Sequence, residues 1–229
     1  MPAQLELAPR TWGGRREGAG RKPSGRRVGV PHRRREGFAT RSAVHVTLRF
    51  RPGSGNLRGE RQYQAVRGAL LAARAGGRGE LRVIHYSVQA THVHLLVEVE
   101  RTAALCRGMQ GLAIRVAKRL GVARRKRGRV FADRYHARLL RTPREVRHCL
   151  AYVLNNARHH AAQEHATYPR DWLDPCSSAA FFDGWRGASS ARPPPEGPVW
   201  PARLWLITTG WRRHGLVSVA EVPAPPDKW

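Results

Sequence analysis

Apolar and polar positions alternate along residues 91–100, and period-two alternation marks a strand whose two sides meet different surroundings. Val93, Leu95, Val97 and Val99 fall on one side; His92, His94, Leu96 and Glu98 fall on the other. A largely apolar run at about Leu81–Gln89 precedes it, and a turn at Ala90-Thr91 joins the two as a hairpin. Upstream, Val44–Phe50 reads as a first strand, stopped by Pro52-Gly53-Ser54-Gly55. Helical spacing takes over from about Gly59: Tyr63, Val66, Leu70 and Ala73 share a side, and Gly76-Gly77 closes the run. A second helix opens with Thr102 as N-cap, buries Leu105, Met109, Leu112, Val116 and Leu120, and is expected to end at Gly121. A fourth strand covers about Val130–Leu140.

Thr142-Pro143-Arg144-Glu145 combines three helix-start signals: a capping threonine, a proline in the first turn and the glutamate of a capping box. This third helix buries Val146, Cys149, Leu150, Val153 and Leu154, with Tyr152 and Asn156 one turn apart on its flank and His148 and His159 on the same side. The order predicts an α+β fold. Its core is the ferredoxin-like β-α-β-β-α-β unit, an antiparallel sheet with two helices on one face, followed by an added C-terminal helix bearing the tyrosine. The first and third strands are then central, and the added helix can cover the face of His92 and His94. Residues 43–162 form this domain. Residues 1–42 are a Gly/Arg-rich arm that cannot bury a face and is expected to be disordered alone. Residues 163–229 form a Trp/Pro-rich extension. It holds six of the seven tryptophans, for which packing is favoured over base stacking, and Leu204–Thr208 is expected to dock as a short strand.

Charge sharpens this picture. Lys and Arg number 42 against 16 acids, a formal charge of +26, which points to a polyanion such as nucleic acid. Residues 42–162 carry 24 basic and 6 acidic side chains, and residues 1–41 carry 11 and 3; the remainder is balanced at 7 and 7. The DNA-contact candidates therefore lie in the arm and the central domain. In the arm they are Arg15, Arg16, Arg21 and Lys22. Gly20-Arg21-Lys22-Pro23 fits a minor-groove hook, with plain phosphate contact slightly ahead of that reading. In the central domain Arg124, Arg125, Lys126, Arg127 and Arg129 form a basic loop suited to phosphates. Three widely spaced cysteines with no Cys-x-x-Cys argue for a reducing interior rather than a disulfide framework. No apolar run approaches the ~18 residues of a membrane span, and the start lacks a signal-peptide core, so the chain is expected to be soluble and cytoplasmic.

Two imidazoles two residues apart on a strand can hold one divalent cation. With 11 histidines in 229 residues, chance alone gives about 0.5 such pairs, so buried core histidines are the competing reading. The apolar filling around His92 and His94 raises the metal reading without settling it. Glu98 shares their face and could hold one imidazole in place. His45, His85 and His136 read as structural or DNA-facing, and Tyr135 stands beside Tyr152 as a candidate nucleophile.

His92-Val93-His94 in an apolar strand, then Tyr152-Val153-Leu154-Asn155-Asn156 on a capped helix 58 positions later, resembles the HUH-type single-tyrosine transposases. The REP-associated tyrosine transposases are the nearest branch. Gly128-Arg129-Val130-Phe131, Arg134-Tyr135-His136 and Thr142-Pro143-Arg144-Glu145 also look like that branch, and the similarity covers about residues 43–160. The resemblance implies that Tyr152 is the nucleophile and that His92, His94 and Asn156 bind Mg²⁺ or Mn²⁺; Arg134 is a further DNA-contact candidate. It implies cutting and rejoining of single-stranded or hairpin DNA through a 5′-phosphotyrosine, and it leaves a monomer or a homodimer open. The chain departs from the branch at Ala157, where Asn-Pro is common. A repurposed module of the same fold that grips hairpins without cutting is the alternative. An RNA-binding ferredoxin-like domain fits less well, because its aromatic strand signature is absent.

Overall fold

The computed structural model describes residues 37–77, 79–126, 128–187 and 197–225. Arg15, Arg16, Arg21, Lys22 and Arg127, together with the arm's expected disorder, lie outside the described residues. In chain order the elements are β1 (Ser42–Arg49), α1 (Glu60–Ala75), β2 (Leu81–Val88), β3 (His92–Val99), α2 (Thr102–Ala123), β4 (His136–Leu140), α3 (Pro143–Leu154) and α4 (Asn156–Gln163). The tail adds β5 (Trp185–Arg186), α5 (Trp205–Thr208) and β6 (Val217–Ser218), with short 3₁₀ turns before β5 and between α5 and β6. Among the described residues no helix is long and apolar enough to cross a membrane.

The main sheet has the order β2-β3-β1-β4 with every neighbouring pair antiparallel, so β1 and β3 hold the two central places. The alternation of β3 divides the molecule in two. Val93, Leu95, Val97 and Val99 join the aliphatic stripes of α1 and α2 in one core. Gly108 lets α2 close on the sheet edge, since a Cβ there would lie 2.6 Å from the Leu81 Cβ. Leu96 faces the other way and meets Leu150 and Val153 of α3 together with Trp185, Ile207, Trp211 and Val217 of the tail. Helix and tail thus share one core over the second face.

Several boundaries differ from the expectation, each for a local reason. α2 continues past Gly121 to Ala123, because the left-handed position falls at Arg125, with φ of 50°. Thr102 does not cap it; its hydroxyl instead accepts the Phe38 N–H at 2.8 Å. β4 begins only at His136, since Asp133 takes the Arg134 N–H at 2.7 Å in a bend, leaving Phe131 on one isolated bridge to Phe50. Leu204–Thr208 is a helical turn rather than a strand. The Glu98 carboxylate reaches across and accepts the N–H groups of Arg203 and Leu204 at 2.7 and 2.9 Å, an anion at a helix start. Buried Glu98 also lies near Arg41 and Arg82, so it anchors the tail and holds no imidazole.

Candidate active site

α3 starts as its sequence requires: the Thr142 side chain accepts the Glu145 N–H, and the Glu145 carboxylate answers to the Thr142 N–H. That box fixes where the helix begins and hence where Tyr152 stands, about two and a half turns on. Opposite it, register places Thr47 of β1 beside His94, and Arg49 beside His92. With His45, His136 and Arg138 they floor a cavity of about 460 Å³, roofed by Tyr152, His159, His160 and Gln163 and rimmed by Asp133 and Arg134.

The aromatic rings meet edge-on. The Tyr152 centroid lies 5.1 Å from His94, 5.9 Å from His45 and 5.6 Å from His159, and the phenol residue is only 7% exposed. His94 Nδ1 sits 3.2 Å from both His45 Nε2 and Thr47 Oγ1, whereas its Nε2 is buried without a partner. His160 repeats the pattern, with Nδ1 3.2 Å from Gln163 Oε1 and Nε2 buried and unpartnered. His92 Nδ1 lies 3.3 Å from Thr91 Oγ1, and its ring is 4.7 Å from His94 and 5.4 Å from His160.

Burial keeps these imidazoles neutral. It is the largest cause of a pKa of about 3 for His45 and about 4 for His92, with neighbouring histidines and arginines adding to it. His94 is pushed well below the ordinary histidine value, and His160 is lowered too, again first by burial. A neutral imidazole with one nitrogen engaged and the other uncommitted is the form that binds a cation. The paired His92 and His94 fit that role on this ground. Among the described residues, however, no three His, Cys, Asp or Glu side chains are grouped to hold a metal ion.

The expected continuity between Tyr152 and Asn156 is absent. α3 ends at Leu154, Asn155 leaves helical geometry at φ −105°, ψ 21°, and its side chain donates to the Ser218 carbonyl at 2.9 Å. Asn156 starts a new helix, fully buried, with both amide atoms unpartnered and no place on the cavity wall. α4 contributes His159 and His160 to that wall instead. The adjacent asparagines were the available signal, since asparagine disfavours a helix interior.

The other candidates separate cleanly. Tyr135 belongs to the α1/α2 side, its hydroxyl 3.7 Å from Cys106 Sγ, and does not line the cavity. His85 is structural: it bonds Ser178 Oγ at 3.1 Å and packs edge-on against Phe182. Arg134 lines the cavity beside Arg49 and Arg138. Arg125, Lys126 and Arg129 are exposed in the loop after α2, while Arg124 donates to the Gly53 carbonyl at 2.8 Å and Arg129 to Phe131 and Ala132 carbonyls.

No protein-family model matches the chain, and no curated protein does. Among solved structures, it is similar to a REP-associated tyrosine transposase bound to a REP hairpin. The similarity is 15% in sequence, covers 64% of this chain and 93% of that one, and has a TM-score of 0.44.

Proposed function

We propose that the chain is a metal-dependent DNA nickase and strand transferase with Tyr152 as nucleophile, built on a ferredoxin-like unit. One observation carries this reading: α3 holds the Tyr152 ring 5.1 Å from His94, over a cavity bordered by Arg49, Arg134 and Arg138. The arginines would neutralise a scissile phosphate and hold it in line. The phenol oxygen attacks phosphorus, the P–O3′ bond breaks, the phenol gives up its proton and the departing 3′-oxygen gains one. The product is a 5′-phosphotyrosine and a free 3′-hydroxyl. Because the phosphodiester is exchanged rather than hydrolysed, another 3′-hydroxyl can reverse the step on a different strand. A phenol with an ordinary pKa of about 10 is a weak nucleophile at neutral pH. Mg²⁺ or Mn²⁺ bound by His92 and His94 would supply Lewis-acid polarisation of the phosphate. For the third donor we favour His160, which lines the cavity with Nε2 uncommitted, over Asn156, which does not line it. Arg124, Arg125, Lys126 and Arg129, with Arg127 and the arm residues Arg15, Arg16, Arg21 and Lys22, are assigned to the DNA backbone.

The placement of Asn156 outside the cavity wall favours a second reading, a module that grips hairpin DNA without cutting. Incubation with pooled fold-back single-stranded oligonucleotides and Mn²⁺, read on a denaturing protein gel, separates the two. The nickase reading expects a slower, EDTA-sensitive adduct that Tyr152→Phe loses entirely. Binding with no adduct across the pool would establish the non-cutting module, and an adduct surviving in Tyr152→Phe would move the nucleophile elsewhere.

A further inference from the structure

Beyond α4 the chain turns back on itself, and the turn is held by a side chain with no other evident duty. Arg158 is buried, and its guanidinium donates to the backbone carbonyls of Tyr168, Pro169, Arg170 and Trp172, at 3.2 Å to Tyr168 and 3.0 Å to Trp172. A buried guanidinium spent on four carbonyls within residues 168–172 fixes that loop in one conformation. What the fixed loop presents is a pair of rings. Tyr168 and Trp172 are stacked with centroids 3.8 Å apart and planes 4° from parallel. Trp172 is half-buried, whereas Tyr168 is 37% exposed.

Tyr168 borders two cavities, and Trp172 borders neither. One, of about 310 Å³, is shared with Arg58, Gln89, His92 and His160. His92 and His160 also line the Tyr152 cavity, so the two spaces adjoin across these rings. The other, of about 940 Å³, carries Arg158, Arg170 and Arg186 against a single carboxylate, Asp171. A strand running out of the Tyr152 cavity past His92 and His160 therefore meets an aromatic ring, braced from behind, next to an arginine-rich space. An exposed tyrosine costs nothing in solvent, but ordering it on a tryptophan through a buried arginine does. That ordering is repaid when a flat partner arrives, because every nucleobase offers a π-face to a rigid ring.

We propose that Tyr168, backed by Trp172 and fixed by Arg158, is a stacking platform for an unpaired nucleobase of the strand held at Tyr152. This rests on the reading that single-stranded DNA is the ligand. It assigns a base contact to a tail segment that is neutral in net charge and takes no part in the chemistry proposed above.

The test uses the full chain in EDTA, so that no strand is cut, with fold-back oligonucleotides carrying 5-iodouracil at successive unpaired positions. After irradiation, the cross-link is mapped by mass spectrometry, and affinities are measured for Tyr168→Ala and Tyr168→Phe. The expected result is a cross-link at Tyr168 or Trp172 and a loss of roughly 5- to 150-fold in single-strand affinity for Tyr168→Ala. Tyr168→Phe keeps the ring and should bind like the parent, and binding of a closed duplex should not change in either. The proposal falls if Tyr168→Ala binds single strands normally, if it weakens single strands and duplex equally, or if cross-links map only elsewhere. Adding Mn²⁺ to the same samples reads the Tyr152 adduct independently. An adduct without a Tyr168 effect removes only the platform, and a Tyr168 effect without an adduct removes only the cutting activity.

Discussion

Leu95 and Leu96 are neighbours on β3, both fully buried, and they enter different cores. Leu95 meets α1 and α2 in a core built almost wholly from aliphatic side chains and two helical stripes. Leu96 meets α3 and the tail on a face where His45, His85, His94, Arg82 and Glu98 are also buried. The first core asks mainly for volume and shape, and its Tyr63 and Tyr86 hydroxyls answer each other at 3.1 Å. The second has to find a partner for each polar group, because a buried polar atom left alone costs about 1–3 kcal/mol. Glu98 finds two backbone N–H groups, His85 finds Ser178, and Asn155 finds a tail carbonyl. Among the buried polar atoms left without a partner, the Nε2 atoms of His94 and His160 lie where the face opens into the cavity under Tyr152.

The matched leucines give the largest test of this contrast. Leu95→Ala and Leu96→Ala should each cost about 2–5 kcal/mol of stability in denaturant melts, as buried leucine truncations do. Their effects on chemistry should part. Per folded molecule, Leu95→Ala should leave the Tyr152 adduct unchanged, whereas Leu96→Ala loosens the seat of α3 and should lower it. Equal adduct yields from the two folded variants would show that the faces are not functionally distinct.

A smaller effect separates the imidazoles within the polar face. In the proposed metal site His45 would act through His94, by occupying its Nδ1 and leaving Nε2 available. His45→Ala should weaken Mn²⁺ binding about 10- to 100-fold, the usual cost of losing such a support, with Thr47 retaining part of the contact. Titration of the free-Mn²⁺ resonance in DNA-free protein measures this without any turnover. The same titration ranks the third donor. His160→Ala should weaken binding and Asn156→Ala should not, and the reverse order would return that role to Asn156.

The two cores also differ in how far the sequence discloses them. The stripe of α2, Leu105, Met109, Leu112, Val116 and Leu120, is buried throughout, because aliphatic spacing dictates one face of a helix whatever surrounds it. The capping box of α3 is equally local and equally visible. The histidines that complete the cavity were not, since His45 and His160 join it only through strand register and a helix break at Asn155. Nor could the helical turn at Trp205 be seen, for its cause is a carboxylate about a hundred residues away on β3. Alternation could place Glu98 on the face of His92 and His94, but only packing could turn it toward the tail. Local patterns report what a segment prefers; buried polar groups report what the rest of the fold brings to them.

The effect that marks the polar face most selectively is its response to acid. His45 and His85 are held near pKa 3 and His92 near 4, in each case chiefly by burial, against about 6.5 in the unfolded chain. Between those values the unfolded chain binds more protons than the folded one, so stability rises with pH. The contribution is complete above about pH 6.5 and is lost as pH falls toward the folded values. Glu145 and Glu221, where hydrogen bonds and neighbouring cations outweigh the raising effect of burial, are held low and titrate below the window from about pH 6.5 to 4.5. Urea melts of metal-free protein across that window should show the slope, and Leu95→Ala should shift the curve without altering it, since the aliphatic core contains no histidine. His85→Gln can keep the contact with Ser178 while removing the titrating group, so it should flatten the slope by one histidine's share. A melt series that stays level between pH 7 and 5 would mean these imidazoles are hydrated in solution, and the polar face would then be no more closed than an ordinary surface.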